Sequence, residues 1–568
     1  MTEIAPSDAA PPRKIDVLTF VERTIAILLT ATVLFLIAMR AIHAGALWRD
    51  EAATFQLSQM PAVSEIAANF QHEAFPLPFP LLVRGYAAIF GGSDASLRWL
   101  GFAVAVALVA AAWLSSRSIR DRGPLLFLSL FGLNATFLLW GTSLRGYGLG
   151  CVFLVLTIGL IAKVIRQPTM KTAIAATIAA IGSVQFMINA VPLVAAIAAS
   201  AIFAFAIGKQ FRLAAIVCVC GAICALSFVP YLHSYLSADW NIVLKYPTDF
   251  ASLWEKFQLA LREHSLFAAL LWYTAVPLTI IAAVWRWLSF RKQRNEPSPF
   301  PLPEGEAGSP AAGEGMSRRQ ESQDGAVLLF LIAVSVFSIV AYYGFLKVLS
   351  YATRPWYYLP LLCAVAAAID LTAGILSRAQ WFRTARILLA IAALLLLPFK
   401  LWSVAHERLT DIDVLANKLE REAAPGDLIV INPWHFAPSF YRYYHGSTPW
   451  ITVPAMSEHR VHRYDLMKAK MIETDPLADV RSAIQRTLQS GGRVWIVGGA
   501  RPLDPNMPRL GPAPNPYFGW AGYMSYWSME IGSFLNEHAG SGQVVIEPMP
   551  DVNDGENVPL LVAEGWKE

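Results

Sequence analysis

The sequence predicts a polytopic α-helical membrane protein that ends in one water-soluble α/β domain. Three observations carry that expectation. The chain of 568 residues is 55% hydrophobic and only 15% charged, whereas a soluble protein carries about 25% Asp, Glu, Lys and Arg. Its long apolar runs fill residues 24 to 404 and stop there. Residues 405–568 then read as ordinary globular sequence, with helical patterns alternating with short β-branched runs.

A helix crosses the hydrocarbon core with roughly 20 mostly apolar residues, because each backbone polar group must find its partner inside the segment. By that measure spans are expected near 24–42, 97–116, 124–141, 149–165, 172–190, 191–208, 213–230, 265–288, 326–346, 357–377 and 387–404, about eleven in all. Phe79–Phe90 is interrupted by Arg84 and reads as an interfacial or re-entrant helix. The five cysteines all lie in apolar runs; Cys218, Cys220 and Cys224 have no His or acidic neighbour and read as small buried thiols.

Basic residues in short loops set the orientation. Arg13, Lys14 and Arg23 precede the first span; Arg117, Arg120 and Arg122, then Arg166 and Lys171, and later Arg378, Arg383 and Arg386 recur on the same side. The N-terminus is therefore expected in the cytoplasm, and an odd span count puts the C-terminal domain outside. The organisation that follows is a membrane domain over 1–404, with an outer loop at 43–96, and an extracytoplasmic domain over 405–568. Residues 291–324 contain PSPFPLPEGEAGSPAAGEGM, which cannot form a core and reads as a disordered cytoplasmic insertion. In the last part, DIDVLANKLEREA, DVRSAIQRTLQS and MSYWSMEIGSFLNEH each precede a β-branched run, at Gly426–Ile431, Gly492–Val497 and Gln543–Ile546. Helix alternating with strand argues for a small α/β layer structure. The net charge of +4 is small and no basic stripe is visible, so nucleic-acid binding is not expected.

Chemistry-bearing residues gather at the outer ends of the spans. Asp50 and Glu51 follow the first span in GALWRDEAATFQLSQ. Adjacent carboxylates repel, which raises the proton affinity of one and suits it to act as a base. Farther along the loop, FQHEAFPLPFPLLVRGYAAIFGG holds His72, Glu73 and Arg84. Arg145 and Tyr147 lie in SLRGYGL, and Lys347, Arg354 and Tyr358 flank the late RPWYYLP segment. Taken singly, the arginines and tyrosines also fit interfacial snorkelling and an aromatic belt. His459 and His462 form an H-x-x-H without an acidic partner at set spacing and read as solvated histidines.

In their order and common side, these segments resemble the GT-C glycosyltransferases that use polyprenyl-phosphate sugars. That group includes protein O-mannosyltransferases, lipid A aminoarabinose transferases and rhizobial lipopolysaccharide galacturonosyltransferases. LW-x-DE-A, the His-acid-x-x-P loop, Arg145-Gly146-Tyr147-Gly148-Leu149 and Arg354-Pro355-Trp356-Tyr357-Tyr358-Leu359-Pro360 carry the likeness over roughly residues 20 to 400. The chain departs from the family pattern where Leu77 separates Pro76 from Pro78 and where Pro355-Trp356 separates Arg354 from the tyrosines.

The resemblance implies a hexosyl- or pentosyltransferase of an inner (plasma) membrane. It would move a sugar from a polyprenyl-phosphate donor to a hydroxyl of a glycan, lipid or protein acceptor by inverting displacement. Asp50 would be the base, and Glu51 would shape its pKa or bind the acceptor. His72, Glu73 and Arg84 would line the substrate site, while Arg145, Lys347 and Arg354 would hold the phosphate. Tyr147, Tyr351, Tyr357 and Tyr358 would stack on the sugar or line the lipid tail. No cofactor is specified, and a divalent metal is left open. The alternative class is a secondary transporter, which would keep ionisable residues near the midplane and show matching halves. Reporter fusions test the topology: those after residue 405 are expected outside and those within 295–320 inside. The same signal from both sites would mean a miscounted span between them.

Overall fold

The computed structural model describes residues 17–73, 75–119, 122–237, 245, 248–262, 265–295, 310–513 and 519–568. Among them nine helices are long and apolar enough to cross a membrane: Val17–His43, Asp94–Ile119, Tyr147–Arg166, Ile188–Ile207, Phe211–Ser237, Leu266–Phe290, Glu321–Leu349, Pro355–Leu376 and Gln380–His406. Each coincides with an expected span. The remaining two expected spans take other forms. The stretch near 172–190 is the helix Met170–Phe186, at 17 residues short for a crossing. The stretch 124–141 is broken, with wide π-type turns at Leu128–Gly132 and Phe137–Gly141 on either side of a non-helical bend.

That bend is tolerated because it lies inside protein rather than against lipid. Every residue from Leu125 to Leu144 is buried, and the Asn134 amide and Thr136 hydroxyl donate to the Ala260 carbonyl at 3.3 and 2.9 Å. The helix Leu359–Leu376 is buried along its whole length and forms the middle of the bundle. Phe211–Ser237 instead turns Val219, Leu226 and Leu236 outward, as a lipid-facing helix does. Cys224 is buried on it, whereas Cys218 is exposed, so the expectation of three buried thiols holds only for the first of these. Residues 296–309 of the predicted insertion lie outside the described residues. Its two flanks are helical rather than irregular, continuing Leu266–Asn295 and opening Pro310–Leu349.

At the end of the bundle away from the 43–96 loop, the loop arginines are consumed by buried carboxylates. Glu22 accepts from Arg122 at 2.7 Å, Arg383 at 3.0 Å and Arg386 at 2.7 Å. Asp370 meets Arg386 at 3.3 Å, the Ser116 hydroxyl at 2.9 Å and the Leu126 N–H at 2.9 Å. Asp324 pairs with Arg166 and, at 3.1 Å, with Arg378. These pairs fasten the first span to the last two where water is scarce.

The C-terminal domain is a five-stranded sheet with order β2-β1-β3-β5-β4: β1 Leu428–Asn432, β2 Trp450–Thr452, β3 Val494–Gly498, β4 Ala539–Ile546 and β5 Leu560–Trp566. β1 runs parallel to β2 and β3, while β5 is antiparallel to both β3 and β4. The helices Ile412–Glu422, Ala478–Gln489 and Trp520–His538 stand where the sequence pattern predicts them. Both faces of β1 and β3 are buried, which explains their unbroken Val/Ile runs.

Removing the Glu22 carboxylate would take an ion-pair partner from three arginines, two of them buried and one, Arg386, keeping only Asp370. Glu22→Ala is therefore expected to cost on the order of 3 kcal/mol, read as a lower unfolding temperature of the detergent-purified protein. An unchanged temperature would mean that water already solvates those arginines.

Candidate active site

The first span ends at His43, the chain turns at Gly45, and the helix Arg49–Ser58 begins after Trp48. Asp50 and Glu51 fall in its first turn, where the helix dipole favours negative charge. Adjacent helical positions point about 100° apart, and the two carboxylates meet different surroundings. Glu51 is fully buried, accepting from Arg98 at 2.6 Å and from the Leu144 N–H at 2.7 Å. Arg98 also donates to the Ala46 and Gly45 carbonyls, at 2.6 and 3.3 Å. Glu51 thus ties the outer loop to the span Asp94–Ile119 and to the segment before Tyr147.

Asp50 keeps 22% of its side chain exposed. Arg49 approaches it at 3.4 Å, Arg145 at 3.8 Å and His462 at 3.9 Å. Burial alone would push its carboxyl up, but Arg145, His462 and Arg49 outweigh that and hold it below the usual carboxylate range. This corrects the expectation that Glu51 would raise it: Arg98 neutralises Glu51, and the cations around Asp50 decide its charge.

Arg145 reaches this point because Gly146 follows it. A Cβ on Gly146 would stand 2.0 Å from the Phe186 carbonyl oxygen and 2.8 Å from the Phe75 ring, so the backbone lies close only with glycine there. The Arg145 guanidinium donates to Glu73 at 3.0 Å, to the Thr54 hydroxyl at 2.9 Å and to the Asp50 carbonyl at 3.0 Å. It lies over the Phe75 ring at 4.3 Å. Burial opposes its charge, yet Asp50 and Glu73 hold it above the ordinary guanidinium value. Glu73 is buried too, and its other oxygen accepts from the His462 N–H at 3.0 Å and faces His462 Nδ1 at 2.9 Å. One carboxylate therefore joins the outer loop, the segment before the fourth expected span and the C-terminal domain.

Further groups lie around Asp50 and Arg49. The exposed Arg354 guanidinium is pushed down by burial of part of its length and by Arg49 nearby. His435, from the C-terminal domain, is held neutral: burial pushes it well below its ordinary value, as do the charges of Arg49, His462 and Arg354. Burial and the Asp50 charge push the Tyr464 hydroxyl up. Tyr357 lies within electrostatic reach of Asp50, Arg145 and Arg354.

Not every expected site residue joins this cluster. Arg84 donates to the Met60 and Pro61 carbonyls, at 2.6 and 3.1 Å, and so closes the C-terminal end of the helix Arg49–Ser58. Lys347 bonds the Thr248 carbonyl. Tyr358 is buried, donating to the Leu253 carbonyl at 2.7 Å, while its neighbour Tyr357 faces the cluster. His72 is half-buried beside Asp465. Tyr147, by contrast, does belong to the cluster: its ring packs on Phe75 at 5.5 Å and its hydroxyl bonds the Arg145 guanidinium.

His462, expected to be solvated, is buried against Glu73. Arg49, His435 and Tyr464 are site residues that the sequence did not single out. Only Arg49, adjacent to Asp50, carried a local signal. Among the described residues no group of three or more His, Cys, Asp or Glu is arranged to hold a metal ion.

No protein-family model matches the chain, and no curated protein does. Among solved structures it is similar to the crystal structure of ArnT from Cupriavidus metallidurans bound to undecaprenyl phosphate. The two are 10% identical, with 94% of this chain and 97% of that chain covered and a TM-score of 0.44.

Proposed function

We propose that the chain is a membrane glycosyltransferase of the GT-C type, moving a sugar from a polyprenyl-phosphate donor to a hydroxyl of a cell-envelope acceptor. The observation that carries this reading is one partly exposed carboxylate, Asp50, flanked by Arg49 and Arg145, with Arg354 near Arg49, at the mouth of an apolar helix bundle. The ordered motifs of the sequence support it independently. The lipid tail of such a donor needs the bilayer, and its phosphate needs cations at the surface. The reaction needs a group that takes a proton as the acceptor oxygen attacks the anomeric carbon.

In the proposed mechanism Asp50 is that group. The guanidiniums that keep it ionised also keep it ready to accept a proton as the new C–O bond forms and the acceptor hydroxyl becomes acidic. The bond between the anomeric carbon and phosphate oxygen breaks on the opposite face, inverting configuration. Polyprenyl phosphate departs with the electron pair, and its added charge is met by Arg354 and Arg49. Arginine suits this role because its planar fork can bond two phosphate oxygens at once. Glu51 and Glu73 act through their partners, as anchors of Arg98 and Arg145. The membrane is the bacterial inner membrane, with the site and the C-terminal domain on its periplasmic face. Lipopolysaccharide, another glycan and protein are the acceptor classes, to be separated by mass spectrometry of envelope glycans with and without the gene. A transporter would keep this cluster near the midplane, whereas its members follow or precede the spans.

Asp50→Asn is expected to lower transfer by roughly 10²–10⁴ with protein level and membrane insertion unchanged. Wild-type turnover in that variant would end the assignment of Asp50 as base. Arg354→Ala is expected to raise the donor concentration needed at saturating acceptor, and Arg354→Lys to restore it only in part. A donor titration unchanged by Arg354→Ala would remove Arg354 from the phosphate site.

A further inference from the structure

The helix that presents Asp50 lacks a capping side chain at its N-cap position. The first N–H groups of a helix find no carbonyl within it, and a Ser, Thr, Asp or Asn before the first turn ordinarily takes one of them. Here that position is Trp48, whose indole offers no acceptor. Glu51 reaches back to the Trp48 N–H at a long 3.4 Å. The next group, the Arg49 N–H, goes to Glu556 Oε2 at 3.0 Å, an acceptor 507 positions further along the chain. Just before the helix, the Leu47 N–H donates to the Tyr443 hydroxyl at 2.5 Å. Glu556 is fully buried and is itself held, because the Ser439 hydroxyl reaches both of its oxygens at 2.8 and 3.0 Å and Thr410 bonds it as well.

We propose that Glu556 is a positioning residue for the transfer reaction: it caps the helix Arg49–Ser58 from the C-terminal domain and so sets where Asp50 stands. The inference rests on the reading of Asp50 as the base. Docking of the domain has other supports. Arg442 pairs with Asp94 at 2.5 Å, the Tyr443 hydroxyl donates to Asp94 at 2.8 Å, and the Gln56 amide donates to the Pro438 carbonyl at 2.7 Å. These grips lie on the loop before the second expected span and at the far end of the Asp50 helix. Loss of Glu556 therefore frees the first turn without undocking the domain. Burial pushes the Glu556 carboxyl up to about 8, so at neutral pH a neutral acceptor stands there. Gln is its close mimic: the amide oxygen accepts from Arg49, and the amide nitrogen faces Ser439.

The test uses the full-length chain in two measurements. Hydrogen exchange followed by mass spectrometry is run on detergent-purified Glu556→Ala and Glu556→Gln. The same variants, with Asp50→Asn as reference, are expressed in cells lacking the wild-type gene, and the glycan product made by wild type is quantified. Glu556→Ala is expected to speed exchange of the Arg49–Ser58 amides roughly fivefold, the equivalent of one lost cap, and to lower product at least tenfold. The amides of β1 to β5 and of Ala437–Tyr443 are expected to keep their protection. Glu556→Gln is expected to restore both readings. Wild-type product from Glu556→Ala, with Asp50→Asn inactive, would overturn this inference alone. Equal loss of protection across the whole C-terminal domain would also overturn it, by making the role merely structural. Full product from Asp50→Asn would instead sink the reading of Asp50 as the base on which it rests.

Discussion

The buried carboxylate of Glu73 is the constraint on which the rest of the site depends. It accepts from Arg145 on one oxygen; the other accepts from the His462 backbone N–H and faces His462 Nδ1. Removing any one partner would leave a charge or a donor unpaired away from water, which costs more than the bond itself contributes. Arg145 can stand beside Asp50 because Glu73 balances it, and the C-terminal domain is held over the loop because His462 completes Glu73. The charge on Asp50 is thus a property of the assembled network rather than of its neighbour in sequence.

The protein uses arginine in two different ways at its two ends. Away from the site, Arg122, Arg383 and Arg386 converge on Glu22, and Arg386 also meets Asp370. There the cations are matched by carboxylates and serve to lock spans together. Around Asp50 the balance differs: Arg49 and Arg145 stand beside one partly exposed carboxylate, Arg354 lies near Arg49, and Glu73 is engaged by Arg145.

The aromatic residues divide in the same manner. Trp48, Trp140 and Trp356 pack with ring centres 4.5 to 5.7 Å apart, bringing the outer loop, the broken segment and the late Arg354 segment together. Tyr358 belongs to this structural class, whereas Tyr357 and Tyr464 face the charged cluster. Two consecutive tyrosines thus separate into a packing residue and a site residue because successive side chains in a helical turn point in different directions.

The sequence by itself determined the membrane class, the helical segments and three of the five strands, because apolar length and β-branched runs are local properties set by the absence of water. It also marked Asp50, Glu73, Arg145 and Arg354 as chemistry-bearing, since charges beside apolar spans stand out. It did not reveal that 124–141 bends, because only tertiary burial and the Ala260 carbonyl let irregular backbone stand there. Nor did it reveal Lys347 on Thr248, Arg84 on the Met60 carbonyl, or the burial of His462. Those outcomes turn on partners up to 389 positions away. A side chain's charge and reach are written in its own residue, but the group that satisfies it is chosen by packing.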